Sequence, residues 1–218
     1  MVRGDSELQY LTDLNDKSVV DKQSANLTLS IANKLMLEGV GLSEKDYRSI
    51  TVGGLPQGIT AVTDGLADAA PIALGQGNVR KAHATTPGGI RFLDMSNIEN
   101  IQEFYTNQKK GFNTYIVKDD DQLPGADKGL VTGSVDIYLI ASSHLSDDVA
   151  ENIISIIEDN WEMLESQFAA LKRGSPGMFV DINNTIPYHQ GAINYYKKKN
   201  RWNPDQEKRN QLLLSGEN

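Results

Sequence analysis

The sequence contains no cysteine, which excludes disulfide bonds, thiolate catalysis and every metal site with cysteine ligands. No apolar run approaches the ~20 residues that a membrane-spanning helix requires. Histidine is scarce as well: His83, His144 and His189 are far apart, and their spacing matches no HExxH-type zinc motif. These absences leave few routes to metal or nucleophilic chemistry.

The amino terminus, residues 1–7, is polar and lacks the apolar core of a signal peptide. This predicts either a protein that stays in the cytoplasm or a mature or shortened form of a secreted one, and the composition does not choose between them.

Acidic residues outnumber basic residues in this sequence. Lys plus Arg is 21 and Asp plus Glu is 29, which gives a formal net charge of −8. An acidic chain is a poor electrostatic match for nucleic acid or anionic lipid. The one cationic cluster, Lys197 to Lys199 with Arg201, is typical of a solvated helix end. We therefore expect no nucleic-acid partner.

Cofactor and nucleophile motifs are also missing. The sequence has neither a GxSxG elbow nor a GxxxxGK[ST] phosphate loop. The run Gly75-Gln-Gly-Asn78 lacks the third glycine of a dinucleotide fingerprint, and the acidic run at residues 119–121 lacks the spacing of a calcium loop. The sequence predicts no catalytic residue, no metal site and no cofactor, and hence a protein that is not an enzyme.

Short apolar segments alternate with helical periodicity through the first half, as βα units do. The first helix is predicted to present Leu27, Ile31 and Leu35 on its apolar face, and the second Ile59, Val62 and Leu66. The predicted strands are residues 18–21, 49–52, 69–74, 90–95, 112–117 and, after an acidic loop at 118–125, 134–141.

The second half is predicted to be mostly helical. Ser146 opens the longest predicted helix, Pro187 is predicted to begin another, and the last begins near Pro204. The apolar face of the long helix is Val149, Ile153, Ile156, Ile157, Leu164, Phe168 and Leu171.

Small polar residues lie at three strand-to-helix junctions. In an open α/β sheet, ligands bind outside the carboxyl ends of the strands, where helix N-termini offer free N–H groups to a carboxylate. Asn78 is also predicted to be the N-cap of the third helix. The predicted ligand-binding residues are Ser24, Asn26 and Thr28 at the first junction, Gly54 and Gln57 beside Gly53 at the second, and Gln76 and Asn78 at the third.

Several segments, in order along nearly the whole chain, together resemble one family. They are Leu11–Val20, Gly41–Tyr47, Asp64–Ala70, Gly75 with Asn78, Leu123-Pro-Gly125 followed by Thr132, and Ile186–Tyr196. The chain resembles the TAXI-type solute receptors of TRAP transporters, which are periplasmic binding proteins of two α/β lobes.

The resemblance implies an α/β fold of the periplasmic binding protein type II kind, with a three-layer α/β/α lobe and additional C-terminal helices. Residues 7–118 would form a lobe similar to the family's second lobe. Residues 119–218 would supply the crossover strand and C-terminal helices of the hinge and first lobe, and most of that first lobe is expected to be missing. It also implies a periplasmic location, a small anionic solute (an amino acid or dicarboxylate) held between the lobes, and TRAP membrane subunits as partners.

The resemblance has one local departure. The family's Gly-Ser-Gly-Thr cradle is replaced by Gln23-Ser-Ala-Asn-Leu-Thr28, which lacks both glycines.

Two other classes of function stay open. A small α/β enzyme acting on an acidic metabolite would require His83 or Asp94 to converge on the junctions. An interaction module would form a homodimer through a partly exposed helix face that includes Ile153, Ile157, Leu164 and Phe168.

Overall fold

The computed structural model describes residues 1–108, 111–119 and 123–216. The chain divides into two compact units, Met1–Asp136 and Ile137–Asn218. The described residues contain eight α-helices and six short strands, so the fold is mixed α/β. No helix in the described ranges is long and apolar enough to cross a membrane.

The first unit is built from alternating strands and helices. Its elements are β1 (Val2–Arg3), β2 (Ser18–Gln23), α1 (Leu27–Gly39), β3 (Arg48–Val52), α2 (Leu55–Thr63), α3 (Gly77–Thr85), β4 (Ile90–Arg91), α4 (Ile101–Gln108), β5 (Phe112–Ile116) and β6 (Val131–Val135).

Parallel pairing organises the centre of the first unit. β2 and β3 form a parallel ladder, and Val19 of β2 makes a further parallel bridge to Ala69. Two antiparallel pairs, β1 with β4 and β5 with β6, complete the described ladders. The predicted single sheet of a three-layer lobe is therefore replaced, in the described residues, by small two-stranded sheets.

Alternation along β2 separates two cores. Val19 packs with α1 residues such as Leu37 and with Tyr105, whereas Val20 packs with Val62 of α2 and its neighbours. Both valines are fully buried because the strand is covered on its two faces. The helices before and after β3 are thereby fixed on opposite sides of the parallel strands.

The predicted apolar face of α1 is wrong at Leu27 and Ile31, whereas Leu35 packs against the core that contains Val19 and Leu37. Leu27 and Ile31 are 71% and 50% exposed, and the buried positions of this helix are Asn33 and Leu37. The Ser30 hydroxyl explains which side of α1 faces the strand. It accepts a hydrogen bond from the main-chain N–H of Gln23 at 2.9 Å and so holds the side of the helix that carries Ser30 against β2.

Three predicted strands are wrong over much of their length. Residues 69–74 contribute only the bridge at Ala69, since Pro71 has no N–H for a ladder. Residues 90–95 contribute β4 and an isolated parallel bridge between Asp94 and Tyr10, and the strand predicted at 134–141 is replaced by β6, which ends at Val135. Ile137, Leu139 and Ile140 are exposed, and a strand needs a neighbour to pair with as well as apolar side chains. Residues 120–122 of the predicted acidic loop lie outside the described residues.

The second unit is helical. It contains α5 (Asp147–Asp159), α6 (Trp161–Gln167), α7 (Gln190–Lys198) and α8 (Pro204–Ser215). The single long helix predicted after Ser146 is interrupted at Asn160, whose side chain donates to the Ile156 carbonyl at 2.8 Å. The start predicted at Pro187 is three residues early, because His189 is the N-cap of α7 and accepts from the Gly191 N–H at 3.1 Å.

Aromatic side chains hold the second unit together. Tyr188 lies edge-to-face against Tyr196 and Trp202, with ring centroids 5.9 and 5.2 Å apart. Arg201 lies over the Tyr196 ring and forms an ion pair with Glu158. Burial of Tyr196 raises the pKa of its hydroxyl, so the ring stays neutral at physiological pH.

Candidate functional site

Three strand-to-helix connections leave the parallel strands of the first unit from one edge. β2 leads into α1, β3 leads into α2, and the segment after Ala69 leads into α3. Strands that run parallel end on the same side of a sheet, so the three helices begin there. We call this the carboxyl edge and define it as residues 24–28, 53–57 and 75–78.

Main-chain hydrogen bonds join the first two junctions directly. The Ser24 N–H donates to the Val52 carbonyl at 3.0 Å, and the Ala25 N–H donates to the Gly53 carbonyl at 2.9 Å. A methyl group at Gly54 would lie 3.6 Å from the Ala25 Cβ, which is ordinary van der Waals contact. The predicted residues Ser24 and Gly54 therefore lie on two joined segments, with Ala25, which follows Ser24, next to Gly54.

Gln57 belongs to the same group. It lies in the first turn of α2, and a Cβ built at Gly53 would be 3.8 Å from its Cδ. The carboxamide thus lies over the Gly53–Gly54 turn and is exposed on its outer side. An exposed amide at a helix N-terminus can donate to a ligand oxygen without first breaking a buried contact.

Asn26 has a structural role at the start of α1. Its side-chain oxygen accepts from the Leu29 N–H at 3.0 Å, which makes it the N-cap of the helix. Ser24 and Thr28 flank it and are exposed. Asn26 therefore orients the first turn, and its two polar neighbours face solvent at the edge.

The third junction differs from its prediction in one respect. α3 begins at Gly77 with Gln76 as its N-cap, so Asn78 lies inside the first turn and the predicted cap is wrong. Gln76 and Asn78 are both exposed. Within the described part of the chain, they share the edge with the other two junctions but do not take part in the contacts that join them.

Gln23 is a residue that the sequence analysis missed. It is the last residue of β2, its side chain is only 2% exposed, and its Nε2 donates to the Pro71 carbonyl at 3.1 Å. This bond ties the end of β2 to the segment that leads into α3. Its position in the sequence could have revealed it, because a polar residue that directly precedes a strand-to-helix junction lies at the carboxyl edge.

The electrostatics of the carboxyl edge favour a negative group. α1, α2 and α3 all direct their N-termini to this side, and unpaired N–H groups there carry partial positive charge. The predicted side chains at the edge are neutral hydroxyls and carboxamides. The arrangement can bind an anion through hydrogen bonds and helix dipoles, and it needs no charged side chain to do so.

The residues required by the enzyme hypothesis do not converge on this edge. His83 lies in the last turn of α3, at the end opposite the edge, where its Nδ1 contacts the Ile90 carbonyl at 3.0 Å. Asp94 accepts from the Ser96 N–H at 2.8 Å and from the Val131 N–H at 3.1 Å. Both side chains stabilise local main chain. No group of three or more potential metal ligands occurs among the described residues.

The amino end of β2 lies next to a different cavity, of about 190 Å³. Asp68 lines it and accepts from the Ser18 N–H at 2.8 Å and the Ser18 hydroxyl at 2.6 Å. Burial opposes ionisation of Asp68, but these two bonds, together with the positive charges of Lys17 and Arg48, outweigh it and lower the pKa of Asp68. Because the Asp68 carboxylate is hydrogen-bonded to Ser18, it joins the segment before Ala69 to the start of β2 and is not free to bind a ligand.

Comparison with known proteins gives one positive result. The model of a family described as the NMT1-like family matches residues 1–199, which is nearly the whole chain. No curated protein matches the sequence.

Proposed function

Because the chain belongs to the NMT1-like family, which is related to the TAXI and TRAP solute-binding proteins, we propose that it binds a small anionic metabolite at the carboxyl edge of its first unit. The observation that carries the proposal is the convergence of three helix N-termini on one edge of the parallel strands. Membership of a family made up mostly of binding proteins supports a role in binding.

The chemistry of the edge supports a carboxylate as the group that is held. Main-chain N–H groups at the starts of α1 and α2 are fixed relative to each other by the Ser24 and Ala25 hydrogen bonds. A carboxylate placed there would accept from several donors at once, and each such charge-assisted bond is stronger than a neutral one. Amino acids and small dicarboxylates are the solutes we propose.

The proposed cellular role follows from the family. Solute-binding relatives are often extracytoplasmic, and the proposed partners are the membrane subunits of a TRAP-type transporter. In this role the protein captures solute and presents it to the membrane subunits. Binding must then be reversible, and a site made of neutral donors and helix dipoles suits that requirement.

A calorimetric screen tests the proposal. The chain is titrated with glutamate, glutamine, 2-oxoglutarate and C4-dicarboxylates, and thermal shifts are recorded at millimolar solute. Saturable binding of at least one of these acids is the expected result. Absence of both heat and thermal shift for every acid would overturn the proposal.

A matched pair of variants locates the site. Gln57→Glu places a negative charge at the start of α2, where it stabilises the helix but repels an anion at the edge. We expect its affinity for the acid to fall at least about tenfold, from like-charge repulsion at contact distance. Thr60→Glu adds the same charge one turn along α2, and its affinity should change far less. Equal losses in the two variants would place the anion elsewhere.

A second candidate function is a homodimerising interaction module, favoured by the exposure of Ile153, Ile156 and Phe168 along α5 and after α6. Exposed apolar side chains on one face are typical of an interface. Sedimentation over a hundredfold range of concentration tests it, and a monomer at every concentration would remove the candidate. A double variant, Ile156→Lys with Phe168→Lys, should abolish any dimer.

A further inference from the structure

Gln23 has a buried acceptor that no group among the described residues satisfies. The side-chain oxygen Oε1 is shielded from solvent and has no hydrogen-bond partner in the described part of the chain. Buried polar atoms are almost always paired, and an exception next to a binding edge calls for a physical reason. The residue ends β2 and directly precedes Ser24, so the unpaired atom belongs to the side chain nearest the first junction.

The orientation of the Gln23 carboxamide is fixed. Its Nε2 donates to the Pro71 carbonyl at 3.1 Å. The flipped orientation would bring Oε1 against that carbonyl and place two acceptors together. The unpaired atom is therefore an acceptor and not a donor, so only a group that carries N–H or O–H can satisfy it.

α2 covers this carboxamide. A methyl group at Gly58 would lie 3.5 Å from the Gln23 Nε2 and 3.7 Å from the Ala70 Cβ. The first turns of α2 therefore pack directly over the side chain. A solute can reach Oε1 only if this part of α2 moves outward, which couples binding to a displacement of the same helix whose N-terminus helps to hold the anion.

We propose that Gln23 sets the specificity of the site, its Oε1 accepting a hydrogen bond from a donor group beside the carboxylate of the solute. This inference rests on the proposed function. It assigns the solute to acids with an N–H or O–H next to the carboxylate, such as α-amino acids, and disfavours 2-oxo acids, which offer a carbonyl at that position. The Gln23 Oε1 and the carbonyl of a 2-oxo acid are both acceptors and repel each other. The site therefore disfavours 2-oxo acids as well as attracting acids that carry a donor.

Paired titrations test the inference. Each amino acid is compared with the 2-oxo acid of the same skeleton, glutamate with 2-oxoglutarate and alanine with pyruvate. For the preferred skeleton, the wild-type chain should bind the amino acid at least about tenfold more tightly, as one hydrogen bond involving an ionised group predicts. In Gln23→Met, which keeps the volume but has no acceptor, the ratio should fall to within about threefold.

A second variant, Gln23→Glu, keeps the inference testable if the methionine variant folds poorly. Glutamate retains acceptor oxygens of nearly the same shape and adds a negative charge. The preference for the protonated amine should therefore persist or increase, even though the donor to Pro71 is lost. A structural role alone would predict that both variants lower thermal stability and leave the ligand ratio unchanged.

Hydrogen exchange supplies an independent readout. Binding of the preferred acid should change the exchange rates of the amides at residues 53–58, because α2 must move for Oε1 to be reached. In Gln23→Met, the amides at the N-terminus of α2 should still respond to the bound carboxylate, whereas the change at Gly58, which covers the Gln23 side chain, should be much smaller.

The outcomes separate the inference from the proposed function. If the wild-type chain binds both members of each pair equally, or if Gln23→Met keeps the wild-type ratio, the inference is overturned while binding at the edge stands. In that case Oε1 is satisfied by a buried water molecule only. If no acid of either class binds, the proposed function itself fails.

Discussion

The two units of this chain use their apolar residues differently. In the first unit, β2 is covered on both faces, with Val19 and Val20 in separate cores. The second unit has a compact aromatic cluster around Tyr188 and Tyr196, but it also leaves apolar residues such as Leu139 exposed. One unit is organised around a parallel pair of strands, and the other around helix-to-helix contacts.

This difference indicates which unit can hold a precise site. Every residue of the carboxyl edge lies in the first unit, at helix starts that follow the paired strands, and the Gln23 bond to Pro71 ties the end of β2 to the segment before α3. Sites supported by packed elements keep their geometry better than sites on unsupported segments. The second unit instead presents apolar surface, which suits contact with another macromolecule rather than with a small acid.

The largest expected effect comes from a matched pair of leucines. Leu37 in α1 is 1% exposed and Leu139 in the second unit is 73% exposed. Leu37→Ala should lower the free energy of unfolding by about 2–5 kcal/mol, through lost burial and the cavity left behind. Leu139→Ala should change it by less than about 0.5 kcal/mol. Urea denaturation followed by circular dichroism measures both, and similar losses would mean that Leu139 is covered in solution.

The next effect tests how closely the helices of the second unit approach. A Cβ at Gly191 would lie 2.2 Å from the Asp147 carbonyl oxygen and 2.9 Å from the Ala150 Cβ. Gly191→Ala should therefore force α7 away from α5 and destabilise the protein by about 1–3 kcal/mol. Gly177→Ala is the control, because its nearest neighbour is the Ser175 hydroxyl at 3.5 Å. Thermal unfolding compares them, and an unchanged melting temperature in Gly191→Ala would show that the helices lie further apart.

Removal of a helix cap should lower the free energy of unfolding by a smaller amount, which we expect to be alike in both units. Asn26 caps α1, and Asn203 caps α8 by accepting from the Asp205 and Gln206 N–H groups at 3.0 Å. Replacement of either by alanine should cost about 1 kcal/mol. Ser146 at the start of α5 makes no side-chain cap bond, so Ser146→Ala should be nearly neutral. A loss at Ser146 equal to the other two would contradict this assignment of caps.

The smallest expected effect is a pH dependence of the free energy of unfolding, which arises from a carboxylate in the second unit. Hydrogen bonds from Gln211, Trp202 and Lys197 lower the pKa of Glu207 from 4.5 to about 2. A lowered pKa means that the carboxylate stabilises the folded state above pH ~4.5 and that this contribution is lost as the pH falls toward 2. Because the side chain is partly exposed, the effect should be modest.

Denaturation curves of the wild type and of Glu207→Gln measure this contribution. The wild type should lose more stability than the variant between pH 4.5 and 2.5. Parallel pH profiles would show that Glu207 makes no bonds of consequence in the folded state.

The elements with the strongest periodic signals were predicted well. The strands predicted at 18–21, 49–52 and 112–117 correspond to β2, β3 and β5, and the last helix begins at Pro204. Local signals were sufficient here because each segment carries its own apolar pattern and its own start or stop residue.

The errors share a physical origin in tertiary context. The buried side of α1 is set by the Ser30 hydrogen bond to Gln23, which no hydrophobic pattern records. An apolar run at Ile137 to Ile140 indicates a strand only where another strand pairs with it. Gln23 was missed because a glutamine at a strand end is usually exposed, and its burial depends on packing under α2.

The carboxyl edge itself was predicted from topology, because parallel strands place their following helices together. The hydrogen bonds of Ser24 to Val52 and of Ala25 to Gly53, and the approach of Gln57 to Gly54, fit that expectation. Their role in ligand binding stays a prediction, as does the assignment of residues 7–118 and 119–218 to two lobes of a binding protein.

The most direct test of the central claim is an amide chemical-shift map recorded while the preferred acid is titrated into the full chain. We expect the largest shift changes at residues 24–28, 53–58 and 76–78 of the first unit, and we expect them to saturate with the calorimetric dissociation constant. Saturable changes confined to residues 137–216, with the carboxyl edge unperturbed, would contradict it.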